Sequence, residues 1–200
     1  MTDLRLDWCS YDAAKYACEN WHYSGCMPSG KTVKIGVWEN DTFIGVIIYS
    51  RGATPNLGKP YGLDQSELCE LTRIALTDHE TPVTRLMSIS RKLLTRKCPG
   101  TKLVVSFADP SEDHLGTIYQ ADNWLYTGTT QSATFYEIDG DVKHPRSVVA
   151  KYGTSSLDNL YRLLGQHRVA PVEMPGKHRY LYPLDDDIRE RVESLAKPYP

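Results

Sequence analysis

The residues with chemistry to offer are a few acids at the ends of apolar runs, a scatter of six histidines, and basic residues set among tyrosines. Asp109 ends the apolar run 102–108 and precedes Pro110, so its carboxylate is expected at the end of a buried strand. There it can accept a proton or share a metal ion; it can equally cap the turn that starts at Ser111. His22 follows the first amphipathic stretch and, being neutral near pH 7, can serve as a general base or a metal ligand. His22 and Asp109 are thus the pair to consider for iron, although no H-x-x-H or H-x-D spacing accompanies them. A lone histidine after a tryptophan is commonly only a packing residue. Glu70 and Arg73 share one strand-like run: Arg73 suits a phosphate or carboxylate, and Glu70 suits acid–base work. Strict alternation puts the two on opposite faces unless the strand bulges, and a structural ion pair is the competing account for each. Tyr119, on a short amphipathic helix, can hold a substrate through its hydroxyl or be a core residue with a wet tip.

Lys143, Arg146, Lys151, Lys177 and Arg179 lie among Tyr152, Tyr161, Tyr180 and Tyr182. Cations interleaved with rings can neutralise the phosphates of a nucleic acid while the rings stack or wedge. A second basic set, Arg85, Arg91, Lys92, Arg96 and Lys97, reads as the outer face of one helix, which is usually only solvated. The net charge of −2 gives no global nucleic-acid signal, so a DNA-binding reading rests on local patches. Five widely spaced cysteines without a C-x-x-C argue for reduced thiols rather than a disulfide framework or zinc knuckle. No apolar run is long enough to span a membrane, and the acidic start carries no export signal, so a cytosolic protein is expected.

These groups must be held by elements. Ser10 caps a helix with Ala13, Ala14, Ala17 and Cys18 on one side. Residues 33–38 and 43–49 flank Glu39, Asn40 and Asp41 as a hairpin. Residues 52–63 form a long loop, and 68–76 a strand. A helix then starts near Pro82 with Val83, Leu86, Met87, Ser90, Leu93 and Leu94 inward; Pro99 and Gly100 stop it. After the buried strand 102–108 come a helix over 111–121 and strands around 124–127 and 134–138. Ser155 or Ser156 caps a helix with Leu157, Leu160, Leu163 and Leu164 on one side. A short strand follows near 180. A last helix begins at Asp185–Asp187 with Ile188, Val192 and Leu195 inward. A hairpin ahead of a β-α-β-α-β core predicts an α/β fold with a mixed sheet, whose ligands bind where strands splay at their carboxyl ends.

Several strings are distinctive: WHYSGCMP from Trp21, VKIGVWE from Val33, GKPYGL from Gly58, ELTRIAL from Glu70, VSFADP from Val105 and IYQADNWLYTG from Ile118. Together with Arg146-Ser147 they resemble the Mom family of Mu-like phage DNA modification proteins, over about residues 8–185. The resemblance implies an α/β, GCN5-related N-acyltransferase-like fold with a mixed central sheet flanked by helices. It implies a core over residues 1–142 and an extension over 143–200, packed on the core and contacting DNA. It further implies an enzyme of the transferase type that converts adenine in duplex DNA to N6-carbamoylmethyladenine, in the cytoplasm of the bacterial host. That modification would protect the DNA against host restriction. The catalytic set becomes His22, Tyr23, Asp109 and Tyr119. The substrate or cofactor set becomes Ser24, Glu70, Arg73, Ser106, Thr84 and Arg85. The donor is acyl-CoA or a glycine-derived compound, and double-stranded DNA is the partner. In the superfamily a Gln/Arg-x-x-Gly-x-Gly/Ala loop holds the CoA pyrophosphate at a helix start. Residues 77–87 here have no glycine and two acids, so either CoA is not bound or it is held by Thr84, Arg85 and main-chain groups only. The alternative is a CoA-dependent N-acyltransferase acting on a small-molecule amine. The sequence carries no signal of oligomeric state.

Overall fold

The computed structural model describes residues 2–200. They form two compact units, one comprising the chain up to Ala108 with Gly116–Gly128 and Arg179–Pro200, the other Asp109–Leu115 with Thr129–His178. The boundary expected at 142/143 falls inside a strand of the second unit.

The larger unit is built on β1 (Leu4–Trp8), β2 (Thr32–Glu39), β3 (Thr42–Ser50), β4 (Leu68–Leu76), β5 (Leu103–Ala108), β6 (Leu125–Thr129) and β10 (His178–Pro183). The sheet order is β1-β2-β3-β4-β5-β10-β6. The first four strands pair antiparallel and β4 pairs parallel with β5, so the sheet is mixed as expected. The β2–β3 hairpin turns on Asn40 and Asp41, both at positive φ, a conformation that short polar side chains tolerate. β1 was not anticipated: LRLDW is too short and too charged to stand out, yet it pairs along β2.

Helix α1 (Tyr11–Trp21) starts where the Ser10 hydroxyl accepts the Ala13 N–H, and packs Ala14, Ala17 and Cys18 on Val46, Ile48 and Ala75. On the other face, α2 (Val83–Lys97) presses Leu86, Met87 and Leu94 against Ile35, Val37, Ile47, Tyr49 and Leu71. Helix α6 (Asp186–Glu193), capped by Asp185, seats Ile188 and Val192 on Leu68, Leu103 and Val105; Leu195 lies beyond its end and is exposed, not inward. Arg91 also departs from the expected outer face. It is buried in a bidentate pair with Asp122, lies 3.8 Å over the Tyr182 ring, and shares Asp122 with the Trp124 indole N–H. A guanidinium taken from water needs this pairing, and the apolar stem supplies the packing.

The single helix expected over 111–121 is two pieces: a 3-10 turn at Pro110–Glu112 and α3 (Thr117–Ala121). Asp113 and Gly116 adopt positive φ between them, which ends one helical turn and starts the next. At Gly116 a side chain would also collide with the Tyr180 ring.

The second unit has a three-stranded sheet, β7 (Ala133–Ile138) between β8 (Asp141–Lys143) and β9 (Val169–Met174), with α4 (Pro145–Tyr152) and α5 (Leu157–Leu164). Its own core is Tyr136, Ile138, Val148, Leu160 and Val169, and the Tyr136 hydroxyl donates to the Ser155 carbonyl. β9 was unforeseen because Pro171 reads as a break, and α4 because His144-Pro145 reads as a loop. In chain terms most of this unit is an insertion between β6 and β10. Its neck is closed: the Thr130 N–H donates to the Lys177 carbonyl and the Lys177 N–H to the Thr130 hydroxyl.

Candidate active site at the β4–β5 fork

β4 and β5 pair only from Leu68 to Glu70 against Leu103 to Val105, then part. At the parting point the Ser106 hydroxyl lies 2.8 Å from the Leu71 carbonyl and 2.8 Å from the Tyr119 hydroxyl. The single Ser106 proton is shared between these two acceptors, so Tyr119 accepts from Ser106 and keeps its own proton for another partner. Tyr119 is buried on α3 among Trp124 and Tyr180, with ring centroids 5.0 and 5.1 Å away, and this packing fixes its hydroxyl at the fork. Burial pushes its pKa up to about 12, the Ser106 bond works against that rise, and the electrostatic influence of Tyr23, Glu70 and Tyr180 adds to it. Tyr119 therefore keeps its proton at neutral pH and belongs to the electrostatic neighbourhood of Tyr23 and Glu70.

Glu70 and Arg73 share a face. Along β3 the register passes from Ile48 opposite Arg73 to Tyr49 opposite Leu71, leaving Thr72 unopposed. The burial pattern says the same: Cys69, Leu71, Ile74 and Leu76 pack on the α2 side, whereas Leu68 and Ala75 pack on the other. One extra residue between 71 and 74 restores parity, so 70 and 73 point together, away from α2. The bulge is pinned by a chain of hydroxyls. Thr72 donates to the Glu70 carbonyl, Ser50 lies 2.7 Å from the Thr72 hydroxyl, and Ser50 accepts the Gly52 N–H. The expectation of opposite faces is corrected by this single inserted residue. Arg73 donates through Nη1 to the Thr72 carbonyl, while its buried Nε has no partner among the described residues. A buried donor left unmatched costs free energy, and an anion would satisfy it.

At the end of α1, His22 Nδ1 accepts the Ser24 N–H at 3.1 Å and lies 2.9 Å from the Ser24 hydroxyl. An N–H can only donate, so Nδ1 is the unprotonated nitrogen and the neutral ring carries its proton on Nε2. The Tyr23 ring sits 4.3 Å from the His22 ring. His22, Tyr23 and Ser24 thus form one local cluster at the end of α1.

Asp109 takes the capping role that was the alternative reading. Its carboxylate accepts from the Ser111 N–H and hydroxyl and pairs with Lys177 at 2.6 Å. Burial raises its pKa, but the bonds from Lys177 and Ser111 outweigh that and hold it below the usual carboxylate range. Among the cations expected to meet DNA, Lys143 pairs with Asp141 and Lys177 with Asp109, whereas Arg146 and Lys151 stand exposed on α4. Arg179 belongs to the larger unit, where its Nε donates to the Thr127 hydroxyl.

A model of the Mom protein family matches residues 3–200. The chain belongs to the Mom protein family. It is 29% identical over 206 residues to the methylcarbamoylase mom of Escherichia phage Mu, spanning 99% of this chain and 84% of that one. Among solved structures it resembles FeeM, an N-acyl amino acid synthase from uncultured soil microbes, with TM-score 0.50, 12% identity and 97% of each chain covered. A putative acetyltransferase of Acinetobacter baylyi ADP1 aligns over 92% of this chain and 93% of its own, at TM-score 0.47 and 10% identity. The fold is that of the GCN5-related acyltransferases, as expected for a Mom protein.

That fold implies CoA, held by backbone N–H groups ahead of α2. In this Mom-family chain two of those groups are already engaged by a side chain, while the first turn of α2 has no side-chain cap. Glu39, buried at the end of β2, accepts the N–H of Glu80 at 3.0 Å and of Thr81 at 2.8 Å; Pro82 has none, and the Arg85 N–H closes on the Pro82 carbonyl. Thr84 is half-buried and Arg85 exposed. A CoA pyrophosphate would meet Glu39 already bound to two of these N–H groups, and the carboxylates of Asp78 and Glu80 beside them. Iron fares no better. His22 turns Nδ1 to Ser24, Asp109 is bound by Lys177 and Ser111, and among the described residues no three His, Cys, Asp or Glu gather to hold a metal. All five cysteines are free. Sequence reasoning missed Glu39 and Thr72. Glu39 reads as a polar hairpin residue, and a bulge leaves no mark on composition.

Proposed function

We propose that this protein modifies adenine in phage DNA, converting it to N6-carbamoylmethyladenine, with the β4–β5 fork as its active site. The observation that supports this reading is the Ser106–Tyr119 pair where β4 and β5 part, with Glu70 and Arg73 on one face of β4, in a Mom-family chain. The adenine amino group is a weak nucleophile because its lone pair is delocalised into the ring. It needs an aligned donor carbon and somewhere for its proton to go. The Ser24 hydroxyl, hydrogen-bonded to the unprotonated Nδ1 of His22, supplies that path: Ser24 takes the amino proton as it gives its own to His22. Tyr119, protonated at neutral pH, donates a hydrogen bond to the departing group of the donor. Arg73 offers its unmatched Nε to an anionic group, either of the donor or of the nucleotide.

The target base must leave the duplex stack to reach such a site, at a cost of a few kcal/mol. The second unit, with Arg146 and Lys151 on α4, is the surface assigned to the phosphates. The carbamoylmethyl group joins through carbon and ends in an amide, so ordinary acyl transfer from an acyl-CoA does not give this product; a glycine-derived donor does.

Mass spectrometry of nucleosides from plasmid recovered after expression tests the reading. Wild-type protein should yield the modified nucleoside, and Arg73→Met and His22→Ala should reduce it about 100-fold. Unmodified adenine with folded wild-type protein rejects it.

A further inference from the structure

The hairpin that joins β2 to β3 delivers a carboxylate to the start of α2. Glu39 is 6% exposed, and its two oxygens receive the N–H groups of Glu80 and Thr81. Oriented N–H groups ahead of a helix are a ready anion site, because the helix dipole adds to their partial charges. Here a side chain of the same molecule is that anion. It is held from both directions: β1 pairs along β2 up to Glu39, Asn40 is tied to Asp3, and Thr77 is tied to Ile44 of β3. The Thr2 hydroxyl donates to the Glu80 carboxylate, and Asp78 stands exposed in the same loop, so the rim is acidic as well.

We propose that Glu39 is a built-in substitute for a diphosphate, and that it selects against CoA-type donors by occupying the cradle they would use. A diphosphate entering there would have to displace a buried carboxylate already matched by these two N–H groups and the Thr81 side chain. It would also approach Asp78 and Glu80. The donor must therefore be small and anchored at the fork, where the unmatched Nε of Arg73 provides a counter-charge. This rests on the reading of the fork as a group-transfer site.

The test is thermal unfolding of the full chain with CoA or inorganic pyrophosphate at millimolar concentration. Wild-type protein should show no shift with either. Glu39→Ala should lower the Tm by about 5 °C, through two unmatched N–H groups, and pyrophosphate or acetate should then restore about 3 °C. A saturable CoA shift in wild type, displaced by pyrophosphate, overturns the proposal. So does a folded Glu39→Ala protein that no anion stabilises. Should that variant fail to fold, the wild-type titration decides alone: a shift with CoA overturns the proposal, and none supports it. Nucleoside analysis of the co-expressed plasmid judges the group-transfer reading separately, since unmodified adenine would sink that reading and leave the titration result standing.

Discussion

At the scale of the residue, protonation assigns the roles. Tyr119 enters folding with its pKa raised, so the stability it contributes is present below the ordinary tyrosine pKa and is lost as pH rises through about 12. Activity should therefore show no inflection from Tyr119 between pH 6 and roughly 10, and Tyr119→Phe should lower kcat about 100-fold without reshaping the acid limb of the profile. An acid limb that moves in Tyr119→Phe would assign the titration wrongly. Glu39 has the opposite sign. The N–H of Glu80 foremost, then Thr81, holds its pKa below the ordinary value of 4.5. Its contribution is present above that value and is lost as pH falls through the lowered folded-state pKa. Acid unfolding followed by circular dichroism should accordingly show a shallower acid transition in Glu39→Gln, whose stability at neutral pH is already lower. Tyr119 and His22 could be singled out in the sequence as candidates. What could not be read was which nitrogen of His22 carries the proton, because that depends on the Ser24 N–H reaching Nδ1.

At the scale of the element, one residue decides whether the fork has its acid and base on the same side. Deleting Thr72 removes the bulge and turns Glu70 and Arg73 to opposite faces. The shortened protein should retain most of its helix signal, lose several degrees of Tm and lose modification altogether; full activity would show that the shared face is irrelevant. Gly116→Ala tests the same region from α3. The new methyl group meets the Tyr180 ring at a positive-φ position, at a cost of about 2–4 kcal/mol, read by urea denaturation. The hairpin, α1, α2 and the buried strand β5 were all readable, since periodicity survives in a sequence. The bulge was not, because ELTRIAL satisfies either parity until Leu68 and Ala75 are seen packed on one side. The helix expected over 111–121 failed for a related reason: its apolar spacing is real, but Asp113 and Gly116 turn left-handed within it.

At the scale of the whole molecule, the chain is a family fold with a passenger. The mixed sheet was foreseeable from the order of its elements. The excursion between β6 and β10 was not, because β8, β9 and α4 are each short and interrupted by proline, glycine or charge. Replacing residues 131–176 by Asn-Gly joins Thr130 to Lys177, which are already hydrogen-bonded across the neck. The shortened chain should fold with its near-ultraviolet circular dichroism largely intact and bind duplex DNA at least 10-fold more weakly, with a shallower salt dependence. Unchanged DNA affinity would transfer the contacts to the larger unit.

That closed neck also says how such a protein can change its target. Because entry and exit meet at one pair of residues, segments of different length can be grafted there without altering the spacing of the strands that carry the chemistry. Were the second unit to carry the phosphate contacts proposed for it, exchanging the segment between Thr130 and Lys177 would alter DNA recognition while leaving β4 and β5 as they are.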